Sequence, residues 1–294
     1  MKINKIGIVG CGLMGAGIAQ VCAQQGKETI VREVSQEFLD KGLDKIKSSL
    51  AKLVDKGTIT KDDMEQSLGH LSGTINLNDL GECDLIIEAI VEDATLKKEV
   101  FTSLDDMCGM ETIFTTNTSS LTVTELAGVT SRPDKFAGMH FFNPVPRMPL
   151  VEVVRSLETS EETFSTVFKL AISLGKQPIA CKDNSGFVVN LLLVPYLLDA
   201  IRAVENGVAS ISDIDKGMTL GCGHPMGPLT LLDFVGLDTT FHIANIMFDE
   251  YREKRYAPPP LLRKMVQSGR LGKKSGSGFY EYSSAEPKPA ELNF

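Results

Sequence analysis

The sequence predicts an α/β chain: an N-terminal doubly wound, mainly parallel sheet with a helical hairpin insertion, followed by an all-α C-terminal domain. Three observations predict it. Short apolar runs alternate with helical patterns as far as Asn184, which is how strand–helix units read. A glycine-rich turn joins the first run to the first helical pattern. After Asn184-Ser185-Gly186 the alternation stops, and only helical patterns follow. At 294 residues the chain is long enough for two cores, and the expected division is 1–184 and 185–294.

Lys5 to Gly10 fits a buried strand, and Gly15 to Gln25 has Ala and Ile at helical spacing. Thr29 to Glu33 is a second strand. Ser35 suits an N-cap for a polar helix running to Lys56-Gly57, and Thr60 to Leu68 completes the exposed hairpin. Asp84 to Ile90, Thr112 to Thr116, Lys135 to Phe142, Val151 to Val154 and Pro178 to Cys181 read as further strands. Ala94 to Met107, Val123 to Ala127 and Thr163 to Leu174 read as helices between them. Beyond the boundary, Phe187 to Glu205, Ile211 to Leu220, Leu229 to Leu232, Asp238 to Arg252 and Pro260 to Gln267 are helical. Their surplus of Leu, Ile and Val predicts an apolar interface, a homodimer formed through the C-terminal helical domain. The tail, Ser283 to Phe294, is polar and reads as loose.

Composition excludes several classes. Hydrophobic residues make up 43% and charged residues 23%, an ordinary globular mixture. Net charge is −8 with no dense basic block, which argues against nucleic acid. No apolar stretch approaches the ~20 residues of a membrane helix. The first residues show neither a secretory nor a transit pattern, so a cytoplasmic location is expected. The six cysteines lack the short spacing of zinc or redox motifs, and His70, His224 and His242 lack metal-ligand spacing. No metal is expected.

Gly10-Cys11-Gly12-Leu13-Met14-Gly15 reads G-x-G-x-x-G between a strand and a helix. Gly10 permits the tight turn, Gly12 the approach of a pyrophosphate, and Gly15 close helix–strand packing, with Leu13 and Met14 between them as further cofactor-binding candidates. Such turns also occur without ligands. Glu33, roughly 20 residues on at the end of the second strand, makes a Rossmann-type dinucleotide site the stronger reading. A carboxylate there accepts from ribose hydroxyls and repels a 2′-phosphate, favouring NAD over NADP. Arg32 beside it argues the other way.

His140 ends a strand at the sheet edge where open α/β folds bind ligands. A lone histidine in an apolar strand is usually a satisfied core residue. Glu152, set among Leu150, Val151, Val153 and Val154, changes that balance, because a carboxylate in such a run is not there for packing. Neighbouring strands would set it against the ring, fixing the tautomer of a general base for an alcohol proton.

The segments GCGLMGAGIAQ, IIEAIVED, TNTSSL, MHFFNPVPRMPLVEV, SGFVVN, HPMGPLTLLDFVGLD and GKKSGSGFYEY resemble the (S)-3-hydroxyacyl-CoA dehydrogenase family, from Ile6 to Tyr280. The resemblance implies His140 as catalytic base, Glu152 as its partner, Ser119 on the reacting oxygen and Asn190 near the thioester carbonyl. It implies cofactor contacts for Glu92, Lys97, Ser119, Asn143 and Lys274, and coenzyme A contacts for Ser49, Lys56, Ser119 and Asn190. It also implies NAD as cofactor and hydride transfer at C3 of a short-chain substrate. Blander readings exist for each: Ser119 as a cap, Asn190 as a satisfied core amide, Lys97, Lys274, Ser49 and Lys56 as solvated surface. Ser185 stands where the family commonly has proline, and Leu191 where arginine often follows the asparagine. Two competing functions are a dehydrogenase of a free hydroxy acid and an inactive NAD-binding structural protein. Retention of Ser119, His140, Glu152 and Asn190 together opposes the second.

Overall fold

A computed structural model describes residues 2–292. The chain divides into two compact units, Met1–Phe187 and Val188–Phe294.

The first unit is built on an eight-stranded sheet. Its strands are β1 (Lys5–Val9), β2 (Glu28–Arg32), β3 (Leu71–Thr74), β4 (Leu85–Glu88), β5 (Ile113–Thr116), β6 (Phe136–Phe141), β7 (Leu150–Arg155) and β8 (Gln177–Lys182). Their spatial order is β3-β2-β1-β4-β5-β6-β7-β8. Every adjacent pair is parallel except β6 and β7. The connecting helices are α1 (Leu13–Gln24), α2 (Gln36–Asp55), α3 (Lys61–Gly69), α4 (Ala94–Met107), α5 (Val123–Ala127) and α6 (Glu161–Ser173). One core packs Ile18, Ile46, Leu50 and Val167 from α1, α2 and α6 against Ile6, Ile8, Ile87 and Val153. The other packs Phe101, Leu104 and Leu126 from α4 and α5 against Val9, Ile86, Phe114 and Phe136. Helices on both faces of one sheet make it doubly wound, as expected.

The helical hairpin forms as its sequence predicts. Ser35 accepts from the Phe38 N–H at the start of α2, and Thr60 and Asp63 form a capping box on α3. β3 was not expected. Leu71-Ser72-Gly73-Thr74 shows no apolar alternation, and it holds its place by parallel pairing of its backbone with β2. The strand order reverses direction between β1 and β4, where such sheets bind ligands at their carboxyl ends.

The second unit contains α7 (Val189–Glu205), α8 (Ile211–Cys222), α9 (Pro228–Val235), α10 (Leu237–Tyr251) and α11 (Pro260–Gln267). Leu198, Ile201, Leu229, Leu232, Ala244, Met247 and Leu262 form its core. The loose tail needs correction: Lys288–Pro289 (β10) pairs antiparallel with Tyr280–Glu281 (β9). Asn293 and Phe294 lie outside the described residues.

Two buried aspartates tie this unit together. Asp215 on α8 accepts from the Leu229 and Thr230 N–H groups and the Tyr280 hydroxyl. Asp233 on α9 accepts from the Phe279 and Tyr280 N–H groups, each at 2.8 Å, and from the Tyr282 hydroxyl. A Cβ on Gly278 would fall 2.0 Å from Asp233 Oδ1, which accounts for that glycine in the GSGFYEY segment. Burial pushes the Asp233 carboxyl up to about 6 despite its donors. The folded chain therefore keeps a proton that the unfolded chain has released, and ionising Asp233 erodes stability as pH rises from about 4 to about 6. Asp233→Asn removes that dependence. Its stability penalty in urea unfolding should be largest near the acid end of that range and smaller at neutral pH. A pH-independent penalty would place the titration elsewhere.

Candidate active site

The Gly-rich turn follows β1 at the point where the strand order reverses. Gly10 has φ +98°, and a Cβ there would meet the Ala89 carbonyl oxygen at 2.7 Å, so this turn packs directly on the one after β4. A Cβ on Gly15 would overlap the Gly10 carbonyl oxygen. Gly10 and Gly15 are therefore demanded by the chain itself. Gly12 is different: a Cβ there would meet no protein atom within 4 Å, and no side chain caps the start of α1 beside it. That combination, an open backbone approach to an uncapped helix N-terminus, fits a dinucleotide pyrophosphate. Glu33 lies against the same turn. Its Oε1 accepts from the Cys11 N–H at 2.6 Å and its Oε2 from the Val34 N–H at 2.9 Å. Beside it, Arg32 Nε is buried without a hydrogen-bond partner.

The turn after β4 carries Glu92. Its Oε1 accepts from Thr118 Oγ1 at 2.5 Å and from the Ser119 N–H at 2.9 Å. Ser120 adds its N–H at 3.3 Å and its hydroxyl at 3.1 Å, and Ser119 Oγ lies at 3.4 Å. Burial pushes the Glu92 carboxyl up, but Lys97 and these donors outweigh it and hold it below its ordinary value. Lys97 is wholly buried, not solvated, with Nζ 2.6 Å from Glu88 and 3.4 Å from Glu92. Ser185 Oγ donates to the Ser120 carbonyl oxygen at 2.9 Å, a bond that a proline at this position could not make.

His140 and Glu152 are register partners across the antiparallel β6–β7 pair. Their side chains meet, with His140 Nδ1 2.7 Å from Glu152 Oε2. Glu152 is fully buried, and His140 is 7% exposed, with Phe142 and Phe187 at ring centroid distances of 4.5 and 5.8 Å. Phe187 has φ +47°, a strained conformation for a bulky residue, held where its ring walls the imidazole. A carboxylate on Nδ1 makes that nitrogen the donor and leaves Nε2 as the basic one. Asn117 Oδ1 accepts from the Phe141 N–H at 2.8 Å, tying the start of the Ser119 segment to the end of the His140 strand.

The other expected residues are placed separately. Asn143 is exposed in the turn after β6, just before a cis Asn143–Pro144 bond. Lys176, buried, braces this turn by donating to the Val145 and Met148 carbonyl oxygens. Asn190 lies in the first turn of α7, and Lys274 pairs with Asp238 at 2.7 Å, both within the second unit. Ser49 shares a shallow concavity along α2 with Lys45, Ser48 and Lys52, while the exposed Lys56 is the C-cap of that helix. Among the described residues no group of three or more His, Cys, Asp or Glu side chains is arranged to hold a metal ion. Sequence reasoning did not find Glu88, Thr118, Ser120, Asn117 or Lys176. Only Glu88 carried a signal, as a carboxylate closing the apolar run Leu85-Ile86-Ile87.

Residues 5–184 match the model of the 3-hydroxyacyl-CoA dehydrogenase NAD binding domain, and residues 186–282 that of the 3-hydroxyacyl-CoA dehydrogenase C-terminal domain. The chain belongs to the 3-hydroxyacyl-CoA dehydrogenase family. It is 48% identical over 282 residues to a 3-hydroxybutyryl-CoA dehydrogenase of Mycobacterium tuberculosis, covering 95% of this chain and 99% of that one. A mitochondrial hydroxyacyl-coenzyme A dehydrogenase of Sus scrofa is 44% identical, with 95% and 91% covered. The crystal structure of (S)-3-hydroxybutyryl-CoA dehydrogenase from Ralstonia eutropha superposes with a TM-score of 0.93 at 43% identity, covering 96% of this chain and 100% of that one. Membership accounts for both halves of the chain with one pair of domain models, and it makes the cradle at Gly12 part of an NAD binding domain.

Proposed function

We propose that the protein is an NAD-dependent dehydrogenase that interconverts (S)-3-hydroxyacyl-CoA and 3-ketoacyl-CoA, with 3-hydroxybutyryl-CoA and acetoacetyl-CoA as the short-chain pair. The observation that carries this reading is the His140–Glu152 pair, joined at 2.7 Å across β6 and β7. Gly10, Gly12, Leu13, Met14 and Gly15 hold the pyrophosphate, Glu33 the adenine ribose, and Glu92, Lys97, Asn143 and Lys274 support the remainder of the cofactor. Bound NAD supplies the acceptor for the C3 hydride, and its reduced form the donor in reverse. His140 takes the 3-hydroxyl proton at Nε2. Glu152 holds the ring and stabilises the imidazolium that results. Ser119 hydrogen-bonds the reacting oxygen, and Asn190 the thioester carbonyl. In reduction His140 returns the proton to O3.

Steady-state assays with NADH test this. Acetoacetyl-CoA should be reduced far better than free acetoacetate, because binding energy from the coenzyme A arm supports the reacting centre. Equal rates on both would favour the free hydroxy-acid reading, and no turnover of either an inactive protein. NADPH in parallel decides between Glu33 and Arg32: preference for NADPH would give the site to Arg32.

The α2 surface is where the coenzyme A arm docks, with Ser49 and Lys56 as contacts. Exposed ion pairs contribute only about 0–1 kcal/mol. Lys56→Ala should therefore raise KM for acetoacetyl-CoA several-fold, more at low salt, and spare a truncated pantetheine thioester. Equal losses on both thioesters would give Lys56 a structural role instead. The assembly is a cytoplasmic homodimer through the helical unit. Sedimentation as a monomer at micromolar concentration would remove the dimer.

A further inference from the structure

The first unit buries more charge beside its crevice than proton transfer at His140 uses. Glu88, the last residue of β4, is fully buried, as is Lys97 on α4. Glu88 Oε1 accepts from Lys97 Nζ at 2.6 Å and from the Ile90 N–H at 2.7 Å. Its Oε2 accepts from Thr116 Oγ1 at 2.6 Å. Two carboxylates thus share one ammonium, and they share it unequally: Lys97 stands 2.6 Å from Glu88 but 3.4 Å from Glu92. Glu92 directs its other oxygen, Oε1, at the N–H and hydroxyl groups of residues 118–120. An ammonium drawn fully onto Glu92 Oε2 would rotate the carboxylate and pull Oε1 away from those donors. Thr116 and the Ile90 N–H hold Glu88 rigidly, and Glu88 in turn holds Lys97 at the β4 side.

We propose that Glu88 is a positioning residue for Ser119: by retaining Lys97, it leaves Glu92 to fix the 118–120 segment in the geometry the reaction needs. This rests on the reading of Ser119 as the residue that hydrogen-bonds the reacting oxygen. Glu88 is fully buried, and its influence is on the placement of a catalytic hydroxyl. Small misplacements of that kind are expensive in rate and cheap in ground-state binding.

The test is a double-mutant cycle in the full chain. Glu88→Gln keeps the side chain's shape and an acceptor oxygen while removing its charge. It should lower kcat for acetoacetyl-CoA reduction by about tenfold. On a Ser119→Ala background the same change should cost less than about twofold, because the group it positions is gone. Losses of equal size on both backgrounds, or no loss in the parent, overturn the proposal. Ser119→Ala with parental turnover would overturn the reading of Ser119 itself, a result visible before Glu88 is changed. Thr116→Val gives the same test without touching a charge, should Glu88→Gln not fold. It should show a milder loss with the same non-additivity, and Thr116→Ser, which keeps the hydroxyl, should restore the parental rate. Additive losses for Thr116→Val, or no restoration by serine, count against the proposal.

Discussion

Replacing His140 by glutamine is expected to lower turnover by about 10²–10⁴-fold, the usual contribution of a positioned general base. Glutamine is the informative substitution because the Glu152 carboxylate, fully buried, needs a donor. The glutamine amide keeps one within the same strand pair, whereas alanine removes that donor and opens a cavity, which would confound catalysis with folding. NADH binding, measured by fluorescence titration, should stay close to that of the parent, since the pair lies on β6 and β7 and the cofactor turn on β1. Glu152→Gln should give a smaller loss: an amide oxygen still accepts from Nδ1 and preserves the tautomer, but it no longer balances the imidazolium. Turnover of His140→Gln within a few-fold of the parent would remove His140 from the role of base.

How much of this arrangement was legible in the sequence depended on the range of the interaction. Strand–helix alternation is a local pattern, and it delivered the doubly wound sheet and the helical second half. The His140–Glu152 contact is nearly local as well. Twelve residues and one Pro-rich turn separate the two, and a polar residue in an apolar run announced each strand's purpose. β3 was not legible, because an edge strand held by backbone pairing places little demand on its side chains. The β9–β10 pair was hidden by the polar composition of the tail for the same reason.

Buried charges were the least legible feature. Lys97 reads as one of two adjacent lysines on a polar helix, and only tertiary structure shows that its neighbour Lys98 faces outward to Glu125 while Lys97 faces Glu88. Arg132 sits in a stretch that reads as a surface turn, yet it is 2% exposed. It donates to Asp105 and to the Cys108 and Gly109 carbonyl oxygens at the end of α4. Each case joins residues more than twenty apart or depends on which face of a helix is covered, and no local period encodes that. The His140–Glu152 pair was readable because the sequence around it is apolar, whereas the network behind Ser119 was not, because its members other than Glu88 lie in polar surroundings.

Lys97→Met is expected to destabilise the first unit by about 3–5 kcal/mol, the cost of removing one partner from a buried ion pair. Methionine matches the length of the lysine stem and fills its space, so cavity formation contributes little. The loss comes from charge. Among the described residues Glu88 retains only the Ile90 N–H and the Thr116 hydroxyl, and the ammonium nearest to both it and Glu92 is gone. Glu88→Gln leaves a balanced Lys97–Glu92 pair, so it should be far milder in stability although it impairs turnover. The double variant Glu88→Gln/Lys97→Met removes one charge of each sign, and it should therefore be more stable than Lys97→Met alone. Urea unfolding of the parent and the three variants decides this. A double variant no more stable than Lys97→Met would show that the lost stability belongs to packing around the lysine stem, and that charge balance between Glu88 and Lys97 does not govern this part of the fold.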